Sequence, residues 1–450
     1  MFNFQINSQY FKIWYSILIF LLLLIFDYLI VHLIGLEDAE NFRWILLIIN
    51  FFVFLFLVIF NPFFIFCLIL FVLPFSWKIF NFEISVVTFN PYTIGIILLL
   101  FYSLYCIFFK GFRYDFDLID LIITLICISF FISTILADNV IDAGFLAFHA
   151  IFIPVVSYFV IKTLINNDLE YKQAILFFIV SISIFGLFAL FEYLKTYQRV
   201  FVLSVPPIGV ATFLSVGILY LVYSKWYKNF LGLIGLFISF IGFIVTFSRI
   251  YTLTLIFSPI FYKFFKNGKV FFLILFFFLF SFLFTIYITY NPDIININEK
   301  QCLKIRGGER TIKRLLNVNF YKCSLYGRAI LYRLGFYNFL KKPFFGVGLY
   351  RGRTKGLPVI TQHNFHVEWL EFGGIFGYLL YISLFILFFK KYSSFVYDNF
   401  IVINLLIIFI VLCNSLTNGF MHGKMPYVSF IMMGFTAARY KIIKLLNPNI

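Results

Sequence analysis

Apolar residues run in long blocks along most of the chain, separated by short polar breaks. A helix needs about 20 apolar residues to cross a hydrocarbon core of roughly 30 Å. On that measure the pattern predicts spans over 16–35, 44–60, 62–75, 92–109, 118–136, 145–161, 174–194, 208–224, 230–247, 250–262, 270–290, 373–389, 400–415 and 425–438. Only Asn61-Pro62 interrupts the run 44–75, and 250–262 is short. The expected architecture is therefore an all-α polytopic integral membrane protein of about 12–14 transmembrane helices. One large polar interval, 291–372, precedes the last three helices, dividing the chain into 1–290, 291–372 and 373–450.

Composition agrees with this reading. Hydrophobic side chains make up 63% of the 450 residues, Phe alone supplies 71, and mean hydropathy is +1.01. Charged residues are 12%, against roughly a quarter in a soluble domain. A soluble enzyme, a secreted disulfide scaffold and a disordered chain are excluded.

The net charge of +16 is unevenly placed. Between Lys300 and Lys355 lie fourteen basic residues and one acid, Glu309. Such density expects an anionic partner. In the short connections, fifteen Lys and Arg fall on one side of the alternating spans and six on the other. The positive-inside rule then places both termini in the cytoplasm and 291–372 outside, because long loops translocate largely regardless of charge. That placement discards nucleic acid and leaves lipid-linked diphosphates, phosphorylated glycolipids and anionic membrane lipids. No cleavable leader is expected; the first apolar run serves as the insertion signal.

Cys67, Cys106, Cys127 and Cys413 fall inside apolar spans and read as small core residues. Cys302 and Cys323 share the outside segment; a bridge would close about twenty residues and contribute roughly 3 kcal/mol, and two free thiols is the other reading. Apolar spacing over Arg328–Leu340 predicts a helix that Pro343 ends. Gly346, Gly348 and Gly352 then read either as a surface turn or as a close approach to a ligand. In Gln362-His363-Asn364-Phe365-His366-Val367-Glu368, the two histidines would share a helical face. A metal pair there lacks a recognisable third ligand. The segment could be a polar membrane-surface helix, or supply a neutral His as a base near pH 7.

The run Gly327-Arg328, Pro343-x-x-Gly346-x-Gly348, His363-Asn364, Glu371-x-Gly373 and Gly377 resembles the signature region of the O-antigen ligase/polymerase superfamily. Thr246-Phe247-Ser248-Arg249 is similar to that family's Ser-Arg-Gly, with Ile250 in place of the glycine. Arg199 with Pro206-Pro207-x-Gly209 and Ala211 is similar to its mid-chain external loop. The resemblance covers 325–380 most closely, 195–260 more loosely, and rests on hydropathy before 190.

The resemblance implies a membrane glycosyltransferase of the bacterial inner membrane, working at the periplasmic face. Its donor would be a glycan on undecaprenyl diphosphate. Its acceptor would be lipid A–core for a ligase, or a second carrier-linked glycan for a polymerase; a slight preference goes to the ligase, whose phosphorylated acceptor suits a basic loop. His363 takes the catalytic role, with His366 as a second imidazole. Arg249, Arg328 and Arg199 hold the diphosphate. Arg333, Asn364, Glu371, Arg351 and Arg353 are further binding candidates in the same region. No cofactor and no metal are needed, because guanidinium groups can neutralise the leaving diphosphate.

Three other features compete. Glu37-Asp38-x-Glu40 would suit a metal-dependent polyprenyl-phosphate-sugar glycosyltransferase. Asp115-x-Asp117 resembles a metal pair on the cytoplasmic side. Asp27 and His149 fall within spans, Glu192 sits near an outer helix end, and His422 and Lys424 lie in the last outer loop, in a position to flank the site. A non-enzymatic polysaccharide transporter is a third class, although the two halves show no repeat of the kind transporters carry.

Overall fold

The computed structural model describes most of residues 51–446. Outside it lie 1–50, 54, 76–81, 85–86, 90, 112–113, 198–199, 201, 203–204, 292–317, 350–363, 420–423 and 447–450; for 82–84, 87–89, 318–324 and 417 the backbone alone is described. The protein is an all-α polytopic membrane protein. Its helices are α1 (Pro62–Val72), α2 (Pro91–Phe109), α3 (Leu118–Ile135), α4 (Val140–Leu164), α5 (Asp168–Thr196), α6 (Pro207–Tyr223), α7 (Phe230–Ile244), α8 (Arg249–Lys266), α9 (Val270–Tyr290), α10 (Val318–Lys341), α11 (Phe365–Tyr392), α12 (Asn399–Asn418) and α13 (Met425–Leu446). Among the described residues seven of these are long and apolar enough to cross a membrane: α2, α3, α4, α5, α9, α11 and α12. The predicted span 16–35 lies outside the described residues.

Polar breaks become helix starts. The first N–H groups of a helix have no intrahelical acceptor, and Asn or Asp side chains supply one. Asn61 accepts from Phe64, Asn139 from Asp142, Asn167 from Glu170, and Asp398 from Phe400 and Ile401. Asp117 and Asp120 form a capping box at α3. Two features were not legible in hydropathy. A short antiparallel hairpin pairs Phe82–Ile84 with Val87–Phe89, and α4 carries a π turn at Phe148–Phe152.

In the bundle, α13 packs on α4 and α12, α5 on α7 and α1, α8 on α12, and α11 on α3. The polar residues of buried α12 are paired: Asn404 with Tyr220 and Tyr171, Asn414 with Thr254, and Asn399 with Tyr262. Small residues allow α5, α6 and α7 to touch. An added Cβ on Gly242 would lie 2.8 Å from Gly186 Cα, and one on Gly217 would lie 2.8 Å from Ile182 Cγ2. Such seams let helix backbones approach in lipid, where apolar burial alone gives little association.

One face of the bundle is tied by ion pairs. Lys162 Nζ lies 2.5 Å from the fully buried Asp120, which also accepts from Tyr158 (2.8 Å) and Tyr114 (3.1 Å). Asp117 meets Lys391 at 2.6 Å and Lys162 at 3.3 Å, joining α3, α4 and α11. Arg439 pairs with Asp398 and Asp168, joining α13, α12 and α5, and Lys441 bonds Asn166 beside the end of α4. Burial alone would raise the Asp117 carboxyl. The Lys391 hydrogen bond and the Lys162 and Lys391 charges outweigh it and hold the group below the ordinary carboxylate range.

Two outcomes follow from this packing. Gly242→Val should lose roughly 1–3 kcal/mol through overpacking against Gly186, read as a lower thermal midpoint in detergent. Asp117 has a folded-state pKa below its unfolded value of about 3.9, so its contribution is complete above about pH 4 and is lost as pH falls through the folded value. A midpoint measured from pH 6 to pH 3 should fall more steeply in the wild type than in Asp117→Asn; equal slopes would refute this account.

Candidate functional site

The site grows from the start of α11. This helix begins at Phe365, ahead of the 373 boundary expected from hydropathy, because its polar first half is buried in protein. The helix breaks at Gly374 (φ 63°, ψ −167°). Broken backbone at membrane depth requires replacement partners, and the segment after α10 supplies them. Val347 and Gly348 donate to the carbonyls of Glu371 (2.8 Å) and Phe372 (3.3 Å). Ile375 and Phe376 donate to the carbonyls of Pro343 (2.8 Å) and Phe344 (3.3 Å). Ser133 of α3 also donates to Phe372 O at 2.5 Å. Gly346 has φ 75°, and a Cβ there would come 2.5 Å from the Phe372 carbonyl. The glycines around 346 are thus not a surface turn; they form a strap across the break in α11. Lys342 pins the strap to the end of α3, through Leu136 O (2.6 Å) and Asp138 (2.8 Å).

Asn364 caps α11 and joins four helices. Its Oδ1 accepts from the His366 and Val367 N–H groups, at 2.9 and 3.3 Å. Its Nδ2 donates to Thr285 Oγ1 of α9 (3.0 Å) and Leu416 O of α12 (3.1 Å). The side chain also hydrogen-bonds Tyr332 of α10. One turn on, the fully buried Glu368 carboxylate lies against Gly419 at the end of α12 and acts on Tyr332.

Arg328 lies one helical turn before Tyr332 on α10. Burial first, and then the neighbouring Arg249 charge, draw Arg328 below the ordinary guanidinium range, with Tyr332 opposing. Arg249 opens α8. Among the described residues Arg328 makes no salt bridge. Two like charges that act on one another, one of them half-buried, favour a nearby anion.

The other expected residues divide into two groups. His366 is buried with both ring nitrogens engaged, Nε2 with Ser281 Oγ and Nδ1 with Tyr378 OH, each at 2.8 Å. Rings of Phe278, Phe282 and Phe365 enclose it, so its place is in helix packing. Arg333 Nε donates to Thr289 O in the last turn of α9 (2.7 Å), and Glu371 Oε1 accepts from Asn338 (2.7 Å). His363, Arg199, Arg351, Arg353, Cys302 and the Cys323 side chain lie outside the described residues, as do Asp27, Glu37, Asp38, Glu40 and His422. Asp117 of the Asp115-x-Asp117 pair is bound by lysines on the opposite face. Sequence reasoning missed Tyr332 and Glu368. Their signal was i, i+4 spacing from Arg328 and from Asn364.

No protein-family model matches the chain, and no curated protein matches it by sequence.

Gly374→Ala should destabilise the protein by about 2 kcal/mol or more, since a side chain is strained at positive φ and its Cβ would overlap the Phe344 carbonyl. Gly377→Ala, where a Cβ meets ordinary contacts from 3.4 Å, should shift the midpoint little. Comparable losses in the two variants would contradict the strap's role.

Proposed function

We propose that the protein is a glycosyltransferase of the O-antigen ligase/polymerase type, moving a glycan from undecaprenyl diphosphate to an acceptor hydroxyl. The observation that supports this most is that the Arg249 charge acts on Arg328, while Tyr332, one turn beyond Arg328, bonds Asn364, the residue that follows His363 in the sequence. In this reading the guanidinium pair holds the diphosphate. Negative charge builds on the phosphate oxygens as the anomeric C–O bond breaks, and permanently ionised donors neutralise it without a metal. His363 accepts the proton of the acceptor hydroxyl, whose oxygen attacks from the opposite face and inverts the anomeric centre.

The membrane is a bacterial inner membrane in this proposal, with both termini cytoplasmic. The face tied by Lys162, Lys391 and Arg439 lies inward, in keeping with the charge bias of the short connections. The Arg249–Arg328 face lies outward. The basic stretch 300–355 favours a phosphorylated acceptor, lipid A–core, which makes the protein a ligase; a polymerase would use the same chemistry on a second carrier-linked repeat.

A deletion strain complemented with variants tests both levels. His363→Ala should abolish transfer with the protein still inserted. Arg328→Ala should lower it roughly 10²–10³-fold, as loss of a transition-state donor does, and Arg328→Lys should recover part of it. Wild-type transfer in His363→Ala would sink the mechanism, and inhibition by chelators would point to the metal-dependent class. Glycolipid electrophoresis separates the acceptors: loss of all long chains on lipid A with carrier-linked polymer retained means a ligase, and core plus one repeat means a polymerase.

A further inference from the structure

Away from the arginine pair, three segments bring donor groups together. Lys424 immediately precedes α13 and is only 2% exposed. Its ammonium lies 5.1 Å from the centre of the Tyr427 ring. Its stem runs beside Gly209 in the first turn of α6, where an added Cβ would lie 3.9 Å from Lys424 Cγ. The π turn of α4 packs against α13, and its His149 lies within electrostatic reach of Lys424. His149 Nε2 is sealed from solvent and has no hydrogen-bond partner among the described residues. A buried polar atom left this way calls for a ligand or water. The α6 N-cap is Pro206, which has no side-chain acceptor to offer the first-turn amides.

An ammonium and helix-start amides are donors, and an imidazole Nε2 donates as its N–H tautomer or when protonated. Their common complement is an anion with several oxygens. π turns are frequent at functional sites, because the extra residue turns a side chain out of the regular helical register.

We propose that Lys424, His149 and the first turn of α6 form a second anion site, which takes a phosphate group. It lies on the same face as Arg249 and Arg328. The other end of α13 carries Arg439 in the opposite ionic network, and the other end of α6 brings Tyr223 to Tyr262 and Asn399. Burial holds the Lys424 ammonium well below the ordinary lysine range, and a bound phosphate would reverse that. Under the glycan-transfer proposal the occupant is a phosphate of the acceptor glycolipid. That assignment rests on the proposal, whereas the site itself does not.

The test uses the full chain, purified in detergent or in nanodiscs, with histidine labelled by ¹⁵N. The His149 signal is assigned by its loss in His149→Gln. Inorganic phosphate should move that signal and raise the thermal midpoint saturably. Lys424→Met should weaken both effects about tenfold or more, the scale of one charge-assisted hydrogen bond. Lys424→Arg should retain them, which keeps the test decisive if the Met variant does not fold. Arg328→Ala should leave the His149 response unchanged. Nanodiscs containing phosphatidic acid, set against phosphatidylcholine alone, distinguish the sources: a response there as well marks a lipid headgroup, and a response to inorganic phosphate alone marks a small anion. A His149 signal indifferent to both probes, or an equal response in Lys424→Met, overturns the site. Full transfer by Arg328→Ala would instead refute the diphosphate role of the arginine pair and leave the His149 measurement standing.

Discussion

A peptide group inside a membrane must find a hydrogen-bond partner in the protein, and the break in α11 makes that requirement local. At Gly374 the helix cannot continue its own ladder, so the strap 343–348 takes over on both sides of the break. The exchange fixes more than backbone. The strap is the direct continuation of α10, so holding it against α11 also holds α10, whose Tyr332 bonds Asn364. The first half of α11 is then free to be polar, because it is buried in protein and not in lipid.

The two ends of the bundle handle charge differently. At one end carboxylates and cations are matched, and several helices are locked at once: Asp120 alone receives Lys162 and two tyrosine hydroxyls. Burying such groups is tolerable only with this degree of pairing. At the other end Arg249 and Arg328 lie within range of one another's repulsion. Repulsion kept in a folded protein is a cost that binding an anion removes.

Much of the architecture was legible in the sequence because hydropathy reports burial in lipid directly. The spans from 92 onward coincide with helices to within a few residues at most ends, and the Asn and Asp breaks became caps. The helix before Pro343 was legible from spacing. What hydropathy could not report was burial in protein. Asn364, His366, Glu368 and Glu371 look like surface residues by composition, yet each is enclosed by neighbouring helices. The same blindness made the glycines around 346 look like a turn, since Gly346 approaches carbonyls at 371–372 and Gly348 the Ser133 carbonyl of α3, all distant in the chain. That the Arg249 charge acts on Arg328 was not legible in spacing, since no spacing rule links residues so far apart in the chain.

The π turn in α4 allows one helix to serve two interfaces. Adding one residue to a turn rotates everything beyond it by about 100° relative to a regular α-helix. Before the turn, Val140–Ala147 packs on α3; after it, Ile153–Leu164 packs mainly on α2 and α13, while Tyr158 and Lys162 still reach Asp120 of α3. An uninterrupted helix would have to meet these neighbours with a single stripe of side chains. The inserted residue splits that stripe in two, so α4 works as a phase shifter between α3 on one side and α2 and α13 on the other.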